Sequence, residues 1–156
     1  MVVRDKRYVF IQVPMERVFG FTEQTVLGER VQMATLERAL LDALDRPQHA
    51  GGLGEVSRIV SRAAHRLSWP MLLGLAERWQ AAAVLQRLGY LLDLHRANMP
   101  ADARAKLIGL IWDGSKIQFG PRARWGSAGK LAQPWKVVEN VPHDVLVSSL
   151  DQGRRR

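Results

Sequence analysis

Two hydrophobic periods alternate along this chain. Residues 7–13, RYVFIQV, carry β-branched and aromatic side chains on both faces, which predicts a strand that Pro14 ends. Residues 25–27 and 30–33 predict a strand pair turned at Gly28-Glu29, where glycine eases a tight reversal. The period then becomes helical. Thr35 is placed to cap a helix to about Asp45, with Leu36, Ala39, Leu40, Ala43 and Leu44 on one face. Glu37 lies in its first turn, where negative charge suits the helix dipole. Arg38 and Asp42 are spaced to pair on the outer face, worth about 0.3–0.5 kcal/mol when exposed.

Pro47 and Gly51-Gly52 break that helix, and a second is expected over residues 53–66 on Leu53, Val56, Val60, Ala63 and Leu67. Ser68 reads as an N-cap, with Trp69 and Pro70 in the first turn of a third helix ending near Trp79. A fourth, separate from the third or continuous with it, carries Val84, Leu85, Leu88, Leu91 and Leu92 to about Arg96. A fifth starts near Pro100 and holds Leu107, Ile108, Leu110 and Ile111. After Asp113-Gly114 the pattern is extended again at residues 116–119 and 135–138, with a glycine-rich loop between. Residues 143–150 fit either a strand or a short helix. The expected fold class is α+β: a small antiparallel sheet from N- and C-terminal strands packed on a central group of about five helices. A single domain is expected over residues 1–150, followed by a disordered basic tail at 151–156.

A chain of 156 residues is long enough to bury a core as one domain. With no cysteine it has no disulfides, no thiolate chemistry and no Cys-ligated zinc, which suits a reducing compartment. No apolar run approaches the roughly 20 residues that span a bilayer, and the N-terminus lacks the apolar region of a signal peptide. The expected location is cytoplasmic, with no membrane partner. The net charge of +8 is unevenly placed: residues 1–33 carry five basic and four acidic side chains, residues 99–156 ten and five. Between Gly114 and Lys136, five cations (Lys116, Arg122, Arg124, Lys130 and Lys136) face no acid in the sequence. That placement points to a polyanion; a solvated loop in an arginine-rich protein is the plainer alternative.

Other chemistry finds little support. His49, His65, His95 and His143 are scattered with no metal-ligand spacing. The Gly51–Gly54 stretch could cradle phosphate, but it follows a helix and lacks both the dinucleotide fingerprint and a P-loop lysine, so a turn needing positive φ is the better reading. Ser57, Ser61 and Ser115 lie in no nucleophile elbow. No catalytic residues, metal or cofactor are therefore assigned, and no enzyme is expected. Arg58, Arg62 and Arg66, at i, i+4 and i+8, form a cationic stripe suited to a phosphate backbone. Lys116, Arg122, Arg124 and Lys130, interleaved with Trp125 and Trp135, form the second candidate patch.

The ordered set TLERALLDALDRP, GGLGEV, a Trp-led helix and RLGYLLDL at 87–94 resembles the C-terminal domain of AbiEi-type antitoxins, transcriptional regulators of abortive-infection toxin–antitoxin systems. Glu37, Arg38, Leu40, Leu41, Asp42, Asp45, Arg46, Pro47, Gly51 and Gly52 occupy the places of the family's run, and Glu55-Val56 continue it. YVFIQV, VFGF and QPWKVVEN extend the likeness to roughly residues 7–140. The resemblance implies an α+β domain that follows an N-terminal winged helix in a type IV system, a phage-defence role, operator DNA as one partner and neutralisation of a nucleotidyltransferase-like toxin, with or without direct contact. The few residues before Arg7 do not hold a winged helix, so sequence-specific reading of DNA is expected of that other part. A protein-interaction or oligomerisation module without DNA binding of its own is the alternative.

Overall fold

The computed structural model describes residues 2–3, 6–7, 10–111 and 115–147. The fold is mixed α+β, as the patterning implied, with five substantial helices between N- and C-terminal strands. The strands form separate sheets. β1 (Val2–Val3) and β2 (Lys6–Arg7) make a short antiparallel pair, and β3 (Phe21–Val26) and β4 (Glu29–Ala34) a hairpin. Nothing describes Tyr8 and Val9, so that part of the expected strand at 7–13 lies outside the described residues. Of the remainder, Arg7 lies in β2, while Phe10 to Val13 are irregular: no neighbouring strand among the described residues accepts their backbone bonds, and Phe10 stays exposed.

The hairpin is longer than its apolar residues suggested, and its turn is Leu27-Gly28, one residue earlier than expected. Both turn residues have positive φ, 53° and 85°, the backbone twist that a two-residue hairpin loop favours. Most of this ribbon is solvent-exposed.

Thr35 caps α1 (Leu36–Asp45) as expected, its hydroxyl accepting from Arg38 N at 3.3 Å. Pro47 heads a 3-10 turn, and Gly51 and Gly52 follow with φ of 85° and 91°, where a Cβ would be strained. Helix α2 (Leu53–Ala63) buries Val56, Ser57, Val60 and Ala63 and tightens into a 3-10 turn at Ala64–Arg66. Helix α3 (Trp69–Trp79) is separate from α4 (Ala82–Leu94), because Gln80 turns the chain with φ 51°. Helix α4 is the centre of the core: Val84, Leu85, Leu88, Leu91 and Leu92 are all buried, and α1, α2 and α5 (Ala101–Leu110) pack on it. Full burial of each such side chain contributes about 1.5–3 kcal/mol relative to leaving it exposed.

The C-terminal strands form a three-stranded mixed sheet in the order β5 (Ile117–Gln118), β7 (Val137–Val138), β6 (Leu131–Ala132), with β5 parallel and β6 antiparallel to β7. A helical turn, α6 (Arg122–Trp125), interrupts what reads in the sequence as a loop. Residues 143–147 are helical (α7, His143–Val147); residues 148–150 and the basic tail 151–156 lie outside the described residues. Trp135 locks this sheet to α4. Its ring lies so close to Gly89 that a Cβ there would meet Trp135 Cε3 at 2.1 Å, and its indole N–H donates to Asp93 at 2.6 Å. Among the described residues, no helix is long and apolar enough to cross a membrane.

Candidate nucleic-acid interface

The acids and arginines of the first helix are spent on architecture. Arg38 and Asp42 pair as their spacing predicts, but Arg38 faces inward rather than out, at 2% exposed, and Glu37 beside it is 4% exposed. Arg38 makes a two-point bond to Asp42, from Nε at 2.9 Å and Nη2 at 3.1 Å. Its Nη1 donates to the carbonyls of Arg17 and Phe19, and the guanidinium lies over Trp79, 4.6 Å from the ring centroid. A buried cation needs such partners, since its desolvation costs several kcal/mol. Burial of Glu37 and Arg38 turns the core face of α1 onto Leu40, Leu41 and Leu44, while Ala39, expected inside, is exposed. Glu37 holds the start of α3, accepting from Ser68 N at 2.8 Å. Asp45 pairs with Arg17 at 3.3 Å and reaches Arg46 at 4.0 Å.

The predicted basic residues fare differently from one another. Arg58, in α2, is tied to Glu55 one turn back, so the stripe of three is partly neutralised at its first member. Arg62 and Arg66 are exposed and form no ion pair among the described residues. Lys116 precedes β5, Arg122 and Arg124 belong to α6, and Lys130 precedes β6; all four are exposed. Arg124 lies over the ring of Trp125 at 4.8 Å, which holds its planar group against an aromatic face. Trp135, placed in the sequence beside these cations, is instead a core residue at 1% exposure.

The structure brings Arg122 and Arg124 together with residues that sequence reasoning missed. They line a cavity of about 680 Å³, whose other walls are Asp45, the Gly51–Gly54 turn, Arg87, the β5 segment and Val145 of α7. Arg87 projects from α4 beside the buried Gln86, and is half-buried. Its Nε donates to Phe119 O at 3.1 Å and its Nη2 to Gln118 O at 3.5 Å. Burial pushes its pKa below the ordinary arginine value, and Asp45 partly offsets that. The signal was a lone arginine between Gln86 and Leu88 in an apolar helix run, a position that has no use for charge unless a partner meets it. Lys116, Lys130 and the α2 stripe do not line this cavity.

A serine–histidine pair also forms that no spacing announced. Ser57 Oγ lies 2.8 Å from His95 Nε2 and donates to Leu146 O at 2.8 Å, so it pins α2, the end of α4 and α7 together. Ser57 is fully buried, which closes it to any substrate. Burial lowers the His95 pKa, the bond to Ser57 opposes this, and the nearby His143 adds to it. Among the described residues no group of three or more His, Asp or Glu side chains is arranged to hold a metal ion. Comparison of the chain with family models, with curated proteins and with solved structures found no match in any of the three.

Proposed function

We propose that this chain is an antitoxin and transcriptional-regulator domain of an abortive-infection toxin–antitoxin system, supporting operator DNA binding and neutralising a nucleotidyltransferase-like toxin. The observation that carries the reading is the division of charge. Glu37, Arg38, Asp42 and Asp45, in the first run that resembles AbiEi-type domains, are held in internal bonds, whereas Arg62, Arg66, Lys116, Arg122, Arg124 and Lys130 are exposed and, among the described residues, without acidic partners. Exposed unpaired cations give phosphate-backbone affinity that falls with salt and carries no base sequence information. Base reading then belongs to a separate winged helix, as the resemblance implies.

The test is fluorescence anisotropy on duplex DNA across a salt series, with Arg62→Glu/Arg66→Glu and Arg122→Glu/Arg124→Glu. Weaker binding and a shallower salt slope in either double variant support the role of that patch; wild-type affinity and slope in both remove the DNA role. Co-expression with a nucleotidyltransferase-like toxin encoded beside this chain, scored for growth, tests neutralisation; absence of such a toxin gene, or of rescue, ends the antitoxin reading.

One observation favours a protein-interaction module instead. The β3–β4 ribbon exposes Phe21, Val26, Leu27 and Met33, with Leu27 fully exposed at the tip. A two-stranded ribbon has little stability of its own, and Val26 and Met33 share one face of it with Leu27 at the tip, whereas Phe21 lies on the other face against Arg38. Rescue of growth by a chain that binds no DNA would select this reading.

A further inference from the structure

We infer that the arginine-lined cavity beside α2 binds a nucleoside phosphate, with Arg87 and Arg122 meeting the phosphate and the β5–α6 wall receiving the base. This goes beyond the DNA reading and does not depend on it, although Arg122 and Arg124 serve both.

Three features converge. The first is an incompletely compensated cation. Arg87 is half-buried, its bonds at Nε and Nη2 go to neutral main-chain carbonyls, and it makes no ion pair among the described residues. The acid that shares the cavity wall with it, Asp45, is already held by Arg17 at 3.3 Å and reached by Arg46 at 4.0 Å. A phosphate would supply the missing counter-charge, and the guanidinium fork suits its oxygens. The second is company: Arg122 and Arg124 line the same space, so three arginines oppose one acid there. The Gly52–Gly54 start of α2 adds the positive end of a helix dipole, and no side chain caps it.

The third is size and wall chemistry. At about 680 Å³ the cavity is much larger than an inorganic phosphate needs. It falls within the roughly 300–1,000 Å³ of small-ligand sites. Its wall also carries the half-buried Ile117 and Trp125, an apolar and aromatic surface suited to a flat base, whereas the Phe119 side chain is buried in the core. The phosphate can come from a free nucleotide or from the 5′ end of a nucleic-acid strand; the chemistry at the arginines is the same.

Isothermal titration of the chain with AMP, GMP, CMP and UMP, and with the matching nucleosides and inorganic phosphate, tests the site. At least one mononucleotide should bind at millimolar concentration or below, its nucleoside at least tenfold more weakly. Arg122→Ala, an exposed change, should weaken it by about tenfold or more, the scale of a lost charge-assisted bond. Arg87→Lys, which keeps the charge and loses the fork, should weaken it while leaving the melting temperature close to wild type; if that variant unfolds, Arg122→Ala alone decides. Lys106→Ala, on the exposed side of α5 and outside the cavity, should leave mononucleotide affinity unchanged. Competition by a 5′-phosphorylated single strand but not by its 5′-hydroxyl form identifies a strand end as the source, and no competition by either identifies the free nucleotide. No binding of any mononucleotide at 1 mM, equal binding of nucleoside and nucleotide, or wild-type affinity in Arg122→Ala overturns the proposal. Duplex affinity, read separately through Arg62→Glu/Arg66→Glu, survives or fails independently.

Discussion

Arg38 and Arg122 are both arginines near a helix start, yet they live in opposite physical worlds. Arg38 is sealed among Phe19, Phe21 and Trp79 and has two carbonyls and a carboxylate as partners. Arg122 stands exposed on a four-residue helical turn, with no acid partner among the described residues. The first is a charge whose partners were built with it, and its role is to join the N-terminal segment to α1. The second is a charge whose partner has still to arrive. Charge density in the sequence does not separate these cases; the fate of the counter-ion does.

The contrast is sharpest under truncation. Arg38→Ala leaves Asp42 and the carbonyls of Arg17 and Phe19 without their donor, and should lower stability by about 3 kcal/mol in urea denaturation. A loss under 1 kcal/mol would show that water replaces the guanidinium and that the site is less closed than its geometry indicates. Gly89→Ala tests the other end of the molecule, where the new methyl group would collide with Trp135; a loss of about 1–3 kcal/mol is expected, with the C-terminal sheet pushed off α4. An unchanged melting temperature there would contradict the contact. Glu37→Gln is milder, since the amide oxygen still accepts from Ser68 N: about 1 kcal/mol.

Acid should act on the interior and spare the exposed arginines. His95 has a folded pKa below its unfolded value, so between the two the unfolded chain binds more protons. The stability it contributes is complete above about pH 6.5 and is lost as pH falls through the folded value. Asp93 follows at lower pH: burial raises its pKa, but the bonds to Arg104 and Trp135 prevail and hold it below its ordinary 3.8. Its contribution is present above that value and is lost as pH falls further. Thermal melts of wild type and Ser57→Ala/His95→Gln from pH 8 to pH 5 check the histidine step, which should vanish in the variant. Smallest of all, Arg122→Ala/Arg124→Ala should move stability by no more than about 0.5 kcal/mol. Its effect belongs to binding, where the salt slope should drop by roughly 1–2. A large destabilisation would place these residues with Arg38 and erase the distinction.

Much of the helical framework was legible because its signals are local. Thr35 marks a boundary by its capping hydroxyl, Pro47 and Pro70 by their missing N–H, and the paired glycines by a positive φ that few residues adopt; Ser68 stands at the N-cap position of α3 but its side chain makes no cap bond. The apolar spacing of α4 was likewise sufficient to place its core. Short strands carried weaker signals: β6 has two residues, and its existence depends on meeting β7. The face of α1 was misjudged because hydrophobic spacing counts Glu37 and Arg38 as outward, whereas their bonds to distant groups draw them in.

The site divides in the same way. Arg122 and Arg124 stand out in a segment without acids, and their excess charge is a property of the chain itself. Arg87 could not be joined to them by any spacing, since 35 residues separate it from Arg122. What the sequence determined alone is where the five long helical segments run and where cations outnumber anions, because each follows from neighbours along the chain. Which cations remain without a counter-ion, and which share a cavity, only the tertiary structure decided. Pairing and desolvation depend on groups that folding brings from far away, as when α4 carries Arg87 to the wall that α6 and the Gly51–Gly54 turn complete.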